Sequence, residues 1–204
     1  MAKKSERLPL RERNKLRTRQ EILDATLEVF NEEGFAGTSI DKIAELGGIS
    51  KGTVYVYFPD GLNDIYREIY SDLSGKLLKS AGEKRAKISD PVERIVGMAE
   101  ALLKLSEVPT YGRFYSVLSP ELRPVLTPVV GAASKQFVVL VAQDLGEMFA
   151  GSHGEPECLA LSELIIGSMR EAARIVSEVP SKKSSLIDAL RRIVTAIAAY
   201  PVVQ

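Results

Sequence analysis

Residues 40–59, IDKIAELGGISKGTVYVYFP, read as two short helices joined by a tight glycine-containing turn. Ala44 is small enough for a second helix to cross close by. Gly48 can take the positive φ that a sharp turn requires, and Val54 supplies a compact apolar knob to set against Ala44. Ile43, Ile49 and Phe58 complete the buried side. This spacing is that of a helix-turn-helix, whose second helix enters the major groove of DNA. The other side of that second helix carries Lys51, Gly52, Thr53, Tyr55 and Val56, with no acid among them.

On either side of this stretch the chain reads as helix throughout. Thr18-Arg19-Gln20-Glu21 has the form of a capping box and predicts a helix start, with Ile22, Ala25, Thr26, Val29 and Phe30 on one face and Gly34 as its stop. Thr38 and Asp41 open the second helix, Ser50 caps the third and Pro59 ends it. A long fourth helix is expected over Asn63–Glu83, and a fifth from Asp90-Pro91, with Pro at the first helical position, to Leu105. Pro120, Pro124 and Pro128 predict short or interrupted helices over 110–128. Further helices are expected over Val129–Phe149, Glu155–Val179 and Ser184–Tyr200, with a loop at 151–154. No strand pattern, repeat or low-complexity segment is visible. The expected fold is all-α: a basic arm over 1–16, a three-helix DNA-binding head over 17–60, and a larger helical body over 61–204 for effector binding and dimerisation.

The 204 residues carry no net charge, but the distribution is uneven. Eight of the 27 Lys and Arg residues lie in the first twenty positions (Lys3, Lys4, Arg7, Arg11, Arg13, Lys15, Arg17, Arg19), beside only Glu6 and Glu12. A basic segment ahead of a helix-turn-helix, on a mildly acidic remainder, is the electrostatic pattern of a DNA binder, although charge runs are more often solvated tails. The apolar stretches are too short and too charged to span a membrane, and the N-terminus lacks the apolar region of a secretion signal. The lone Cys158 excludes an intrachain disulfide and fits the reducing cytoplasm, the expected location.

Residues 18–58, TRQEILDATLEVFNEEGFAGTSIDKIAELGGISKGTVYVYF, resemble the DNA-binding head of the tetracycline-repressor (TetR) family. The Thr start, Gly-Phe after the first helix, Thr-Ser before the second, and Ser-Lys-Gly-Thr-Val-Tyr leading into Tyr-Phe-Pro stand in order; beyond residue 70 only the helical layout is similar. The resemblance implies a bacterial, all-helical homodimer that binds a palindromic double-stranded operator, usually as a repressor, and releases it when a small molecule enters the body. Carried over by position, Thr38, Ser39, Lys51, Gly52, Thr53, Tyr55, Val56 and Tyr57 are the expected DNA-binding residues. Physically, Lys51 offers a charge to phosphate, Thr53 and Tyr55 offer hydroxyls, and Gly52 lets the backbone approach closely. Val56 either packs its methyls on a thymine methyl or covers Tyr57. The sequence departs from the family pattern at Asp60-Gly61, where relatives commonly carry Ser-Lys, and one extra residue precedes Ile65.

In the body, Tyr111, Arg113, Phe114, Tyr115, Phe137 and Met169 are candidate effector contacts, with plain core packing as the competing reading. Leu164, Ser168 and Ala172, with Leu190, Ile193 and Ile197, lie on broad stripes of the last two helices. Such a hairpin either caps the core or pairs with its copy as a four-helix bundle. Dimerisation has an independent argument, because one helix-turn-helix touches too few base pairs for useful selectivity. The rival classes are an enzyme and a helical adaptor for a protein partner. An enzyme needs a constellation, and one His (His153) five residues from one Cys supplies neither a metal site nor a catalytic set. No cofactor is expected.

Overall fold

In the computed structural model, residues 9–108, 110–112, 122–149 and 154–199 are described. Among the described residues the α-helices with given bounds are, in order, α1 (Leu10–Gly37), α2 (Ile40–Leu46), α3 (Lys51–Tyr57), α4 (Leu62–Arg85), α5 (Pro91–Ser106), α6 (Leu122–Met148), α7 (Glu155–Glu178) and α8 (Lys183–Ala199). No strand occurs among the described residues. The chain divides into two compact units, residues 1–66 and 67–204, with the boundary inside α4.

Local chemistry sets most helix ends where the sequence put them. Asp90 caps α5, accepting from the Val92 N–H at 2.9 Å, and Pro91 follows in the first turn. Gly34 breaks α1 with φ 70° and ψ −171°. Two starts differ from expectation. Helix α1 begins at Leu10, so Thr18 lies inside the helix and its box caps nothing. Residues 10–17, LRERNKLR, are nearly all strong helix formers, and Pro9 stands just ahead of the first turn, its carbonyl accepting from Arg13 N–H at 3.0 Å. Helix α6 begins at Leu122 rather than Val129. Pro124 falls in its first turn, where a missing N–H costs no intrahelical bond.

In the first unit, α1 buries Ile22, Leu23, Ala25, Leu27, Val29 and Phe30. Ile43 and Ala44 of α2, Val54 of α3, Phe58 and Ile65 are buried with them. Phe30 meets Tyr66 edge-on with ring centroids 6.2 Å apart, and Phe35 lies 5.7 Å from the same ring. Each such aliphatic burial contributes about 1.5–3 kcal/mol, enough for small helices that would be unstable alone.

The second unit is built around α5, which packs against α6, α7 and α8. Its core combines Ile95, Met98, Leu102 and Leu103 with Val141 and Leu145 of α6, Ile165, Met169 and Val176 of α7, and Leu190 and Val194 of α8. One charged group lies inside it. Asp144 is fully buried and takes Arg85 from α4 on one oxygen and Arg94 Nε from α5, at 2.6 Å, on the other. Arg94 also reaches Glu147 and the Ser89 carbonyl. At the surface, Lys183–Glu107 (2.7 Å) and Arg191–Glu93 (3.1 Å) tie α8 to α5.

Candidate nucleic-acid interface

The turn between α2 and α3 is closed by its own backbone. Gly48 takes φ +62°, its N–H donates to Glu45 O at 3.2 Å, and Ile49 N–H donates to Ala44 O at 3.0 Å. That pair of bonds is a Schellman ending, which only a residue tolerant of the left-handed region closes without strain. One residue on, the Ser50 hydroxyl caps α3 by accepting from Thr53 N–H at 3.0 Å and lies 2.8 Å from the Thr53 hydroxyl. With both ends fixed, Val54 points into the head core and is fully buried. Lys51, Gly52, Tyr55 and Val56 then share the exposed face.

That face is unusual for a protein surface left in water. Tyr55 is 50% exposed and Val56 79% exposed, on a helix of only seven residues. Gly52 is open: a Cβ there would meet nothing closer than Ser50 Oγ at 3.7 Å. Lys51 pairs with Asp41 Oδ1 at 2.7 Å, with both side chains more than half exposed. Such a surface pair is worth about 0–1 kcal/mol, so it yields readily to a phosphate.

The remaining expected DNA contacts are placed differently. Ser39 caps α2, accepting from Lys42 N–H at 3.4 Å. Thr38 is buried; its hydroxyl donates to Gly34 O at 2.7 Å and its N–H to Phe35 O at 3.2 Å. Burial pushes the Tyr66 phenol above its ordinary value of 10.0, an effect that Thr38 opposes in part. Thr38 thus holds the α1–α2 corner together. Tyr57 is half-buried, and its carbonyl accepts from Arg19 Nη1 at 3.2 Å, while the Arg19 guanidinium stacks 4.6 Å from the Phe58 ring centroid. Sequence reasoning counted Arg19 only as part of a basic run; its partner stands 38 residues away in the chain, and spacing gave no sign of this clamp.

The Asp60-Gly61 departure is a turn. Gly61 has φ +58°, its N–H donates to Phe58 O at 2.9 Å, and Asp64 Oδ2 accepts from Asp60 N–H at 2.8 Å. A Cβ at Gly61 would lie 3.4 Å from the Tyr55 ring, an ordinary contact, so the positive φ rather than crowding is what favours glycine there.

In the second unit, Phe137 and Met169 are core residues and Tyr111 is half-buried. Arg113, Phe114, Tyr115 and His153 lie outside the described residues. Leu164 is 73% and Ile193 49% exposed, and Ser168 is exposed too; Ala172 and Ile197 are half-buried against the core, and Leu190 is 6% exposed within it.

Residues 22–60 match the family model described as bacterial regulatory proteins, tetR family. Over 113 residues the chain is 28% identical to the HTH-type transcriptional regulator AcrR of Shigella flexneri, covering 55% of this chain and 47% of that one. The chain thus spans about half the length of this curated relative. Its fold is similar to that of a TetR-like transcriptional regulator from Rhodococcus sp. RHA1 (TM-score 0.71, 19% identity, 95% of this chain and 99% of that chain). It is similar also to the transcriptional regulator FadR from Bacillus subtilis, solved in complex with stearoyl-CoA (TM-score 0.71, 17% identity, 86% and 96%). At these identities the structural likeness shows the fold.

Proposed function

We propose, given that the chain belongs to the tetR family of bacterial regulatory proteins, that it is a sequence-specific DNA-binding transcriptional regulator without enzymatic activity. The observation that carries this reading is the outward face of α3, where Lys51, Gly52, Tyr55 and Val56 stand exposed on a helix capped at both ends. The helix enters the major groove. Gly52 admits the DNA backbone, Lys51 exchanges Asp41 for a phosphate, the Tyr55 hydroxyl donates to a phosphate oxygen, and Val56 meets a thymine methyl. Ser39 and Thr53 contribute hydroxyls at the helix starts. Thr38 and Tyr57 act by holding these elements in place.

The chain acts in the cytoplasm as a homodimer on a palindromic operator, and its ordinary effect is repression. The exposed Leu164 and Ile193 support pairing through α7 and α8. A dimer spaces two reading helices by about one DNA turn, roughly 34 Å. A small molecule bound by the body, with Tyr111 and the aromatic stretch after it as contacts, releases the operator. Because the FadR neighbour holds stearoyl-CoA, acyl-CoA is the first effector class to test. Selection of bound duplexes from a random library should return an inverted repeat whose half-sites are one turn apart. Recovery of no enriched sequence would sink the proposal. An acyl-CoA that acts as effector must lower affinity for the selected duplex, and the duplex must weaken acyl-CoA binding by the same factor.

A further inference from the structure

The outward sides of α7 and α8 carry one pattern with opposite charge. On α7 it is Ala160, Glu163, Leu164 and Gly167; on α8 it is Ala189, Arg192, Ile193 and Ala196. Each set falls at i, i+3, i+4 and i+7, which is one side of a helix. Leu164 and Ile193 are large apolar residues left exposed, and only Gly167 among the eight is half-buried. A Cβ at Gly167 would meet nothing within 4 Å, so the space in front of it is open. A small residue stands at either end of each set, which lets a second helix come close.

The two charges are unanswered within the protomer. On α7, Arg174 takes Glu171 and Glu178; on α8, Arg191 takes Glu93 and Lys183 takes Glu107. Among the described residues Glu163 and Arg192 have no ion-pair or hydrogen-bond partner. Arg170 and Asp188 have none either, but neither belongs to the patterned set of its helix, and neither adjoins an exposed large apolar residue.

We infer that these faces are covered by a second copy of this chain, and that charge selects which helix meets which. Setting α7 against the partner's α7 would bring Glu163 onto its own copy, and setting α8 against α8 would do the same for Arg192. Setting α7 against the partner's α8 brings Glu163 of one protomer to Arg192 of the partner subunit, and the two-fold axis makes that contact twice. Leu164 then meets the partner's Ile193 beside it. Like charges facing each other across an interface exclude a pairing, so these residues act on specificity more than on affinity. A similar chain without the matching charges is turned away by the same repulsion. This inference rests on the dimer read above.

The test reverses one charge at a time in the full chain. Glu163→Arg leaves two cations and Arg192→Glu two acids, so each variant should self-associate at least about tenfold more weakly than wild type in sedimentation equilibrium. Mixed, the two variants regain both opposite-charge contacts, and native mass spectrometry should find the heterodimer as about nine-tenths of all dimers, against about one half for random pairing. The regain cannot arise inside one protomer, because neither variant holds both signs at these positions. Circular dichroism should show wild-type helicity for both variants, as both sites are exposed. Variants that self-associate like wild type, or a mixture with no excess of heterodimer, would overturn the charge pairing and leave the dimer intact. A wild-type chain that stays monomeric at micromolar concentration would overturn both.

Discussion

Gly52 has no steric reason inside this molecule to be glycine: it is exposed, and an added Cβ meets only an ordinary contact. The constraint must come from what approaches it. Gly52→Ala should therefore stabilise the head slightly, by at most about 1 kcal/mol, while weakening operator binding tenfold or more. Thermal melts and binding to the selected duplex check the two halves separately; a variant that binds as well as wild type would remove the close approach. Tyr66 gives a pH prediction. Its folded pKa is raised by burial, with Thr38 opposing in part, so the folded state holds its proton more tightly than the unfolded chain. That stability is fully present below the ordinary value of 10.0 and is lost as pH rises through the folded value. Tyr66→Phe keeps the ring contacts with Phe30 and Phe35, and it should melt with a flatter alkaline limb than wild type above about pH 10. Parallel limbs would show that Tyr66 does not carry the effect.

Helices α4, α5 and α6 meet at one buried carboxylate. Asp144 balances Arg85 and Arg94, and no water-exposed route replaces it, because the carboxylate is fully buried and both guanidinium groups are mostly so. Removing a partner from a buried pair leaves an uncompensated charge at a cost of about 3–5 kcal/mol. Asp144→Ala should lower the midpoint of urea unfolding of the body accordingly, and Glu147→Ala, at the exposed end of the same network, should do so by under about 1 kcal/mol. Equal effects would mean the exposed pair matters as much as the buried one. The network was not legible in sequence, since Arg94 and Asp144 stand fifty positions apart in unremarkable helical runs. The turn of the head was legible in full, because Gly48, Ser50 and Pro59 act on neighbours within five residues.

The placement of the two stripe sets separates packing from assembly across the whole molecule. Leu190 is spent on the protomer's own core, whereas Leu164 and Ile193 are left outside it. Leu164→Glu and Ile193→Glu should then leave circular dichroism unchanged, turn a dimer into a monomer in sedimentation, and abolish operator affinity. Leu190→Glu should instead unfold the body, since a buried unpaired carboxylate costs several kcal/mol. A wild-type chain that sediments as a monomer at micromolar concentration would rule out the dimer.

The sequence carried everything whose cause is local. It showed the all-helical class, the helix-turn-helix and its buried triad of Ala44, Ile43 and Val54, the caps at Ser50 and Asp90, and the outward residues of α3. Those features depend on spacing, propensity and backbone hydrogen bonds between near neighbours. Three things lay beyond its reach. The capping box at Thr18 went unused because continuing the helix back to Leu10 left no end there to cap. Lys51 and Arg11 look alike as charges, and only folding set Asp41 beside the first and left the second open on a cleft. Leu164 and Leu190 look alike as apolar stripe residues, and only the packing of α5 against α7 and α8 buried one and exposed the other. In each case the deciding neighbour is distant in the chain, or is a competing helix, and periodicity reports only which residues share a face, not what that face meets.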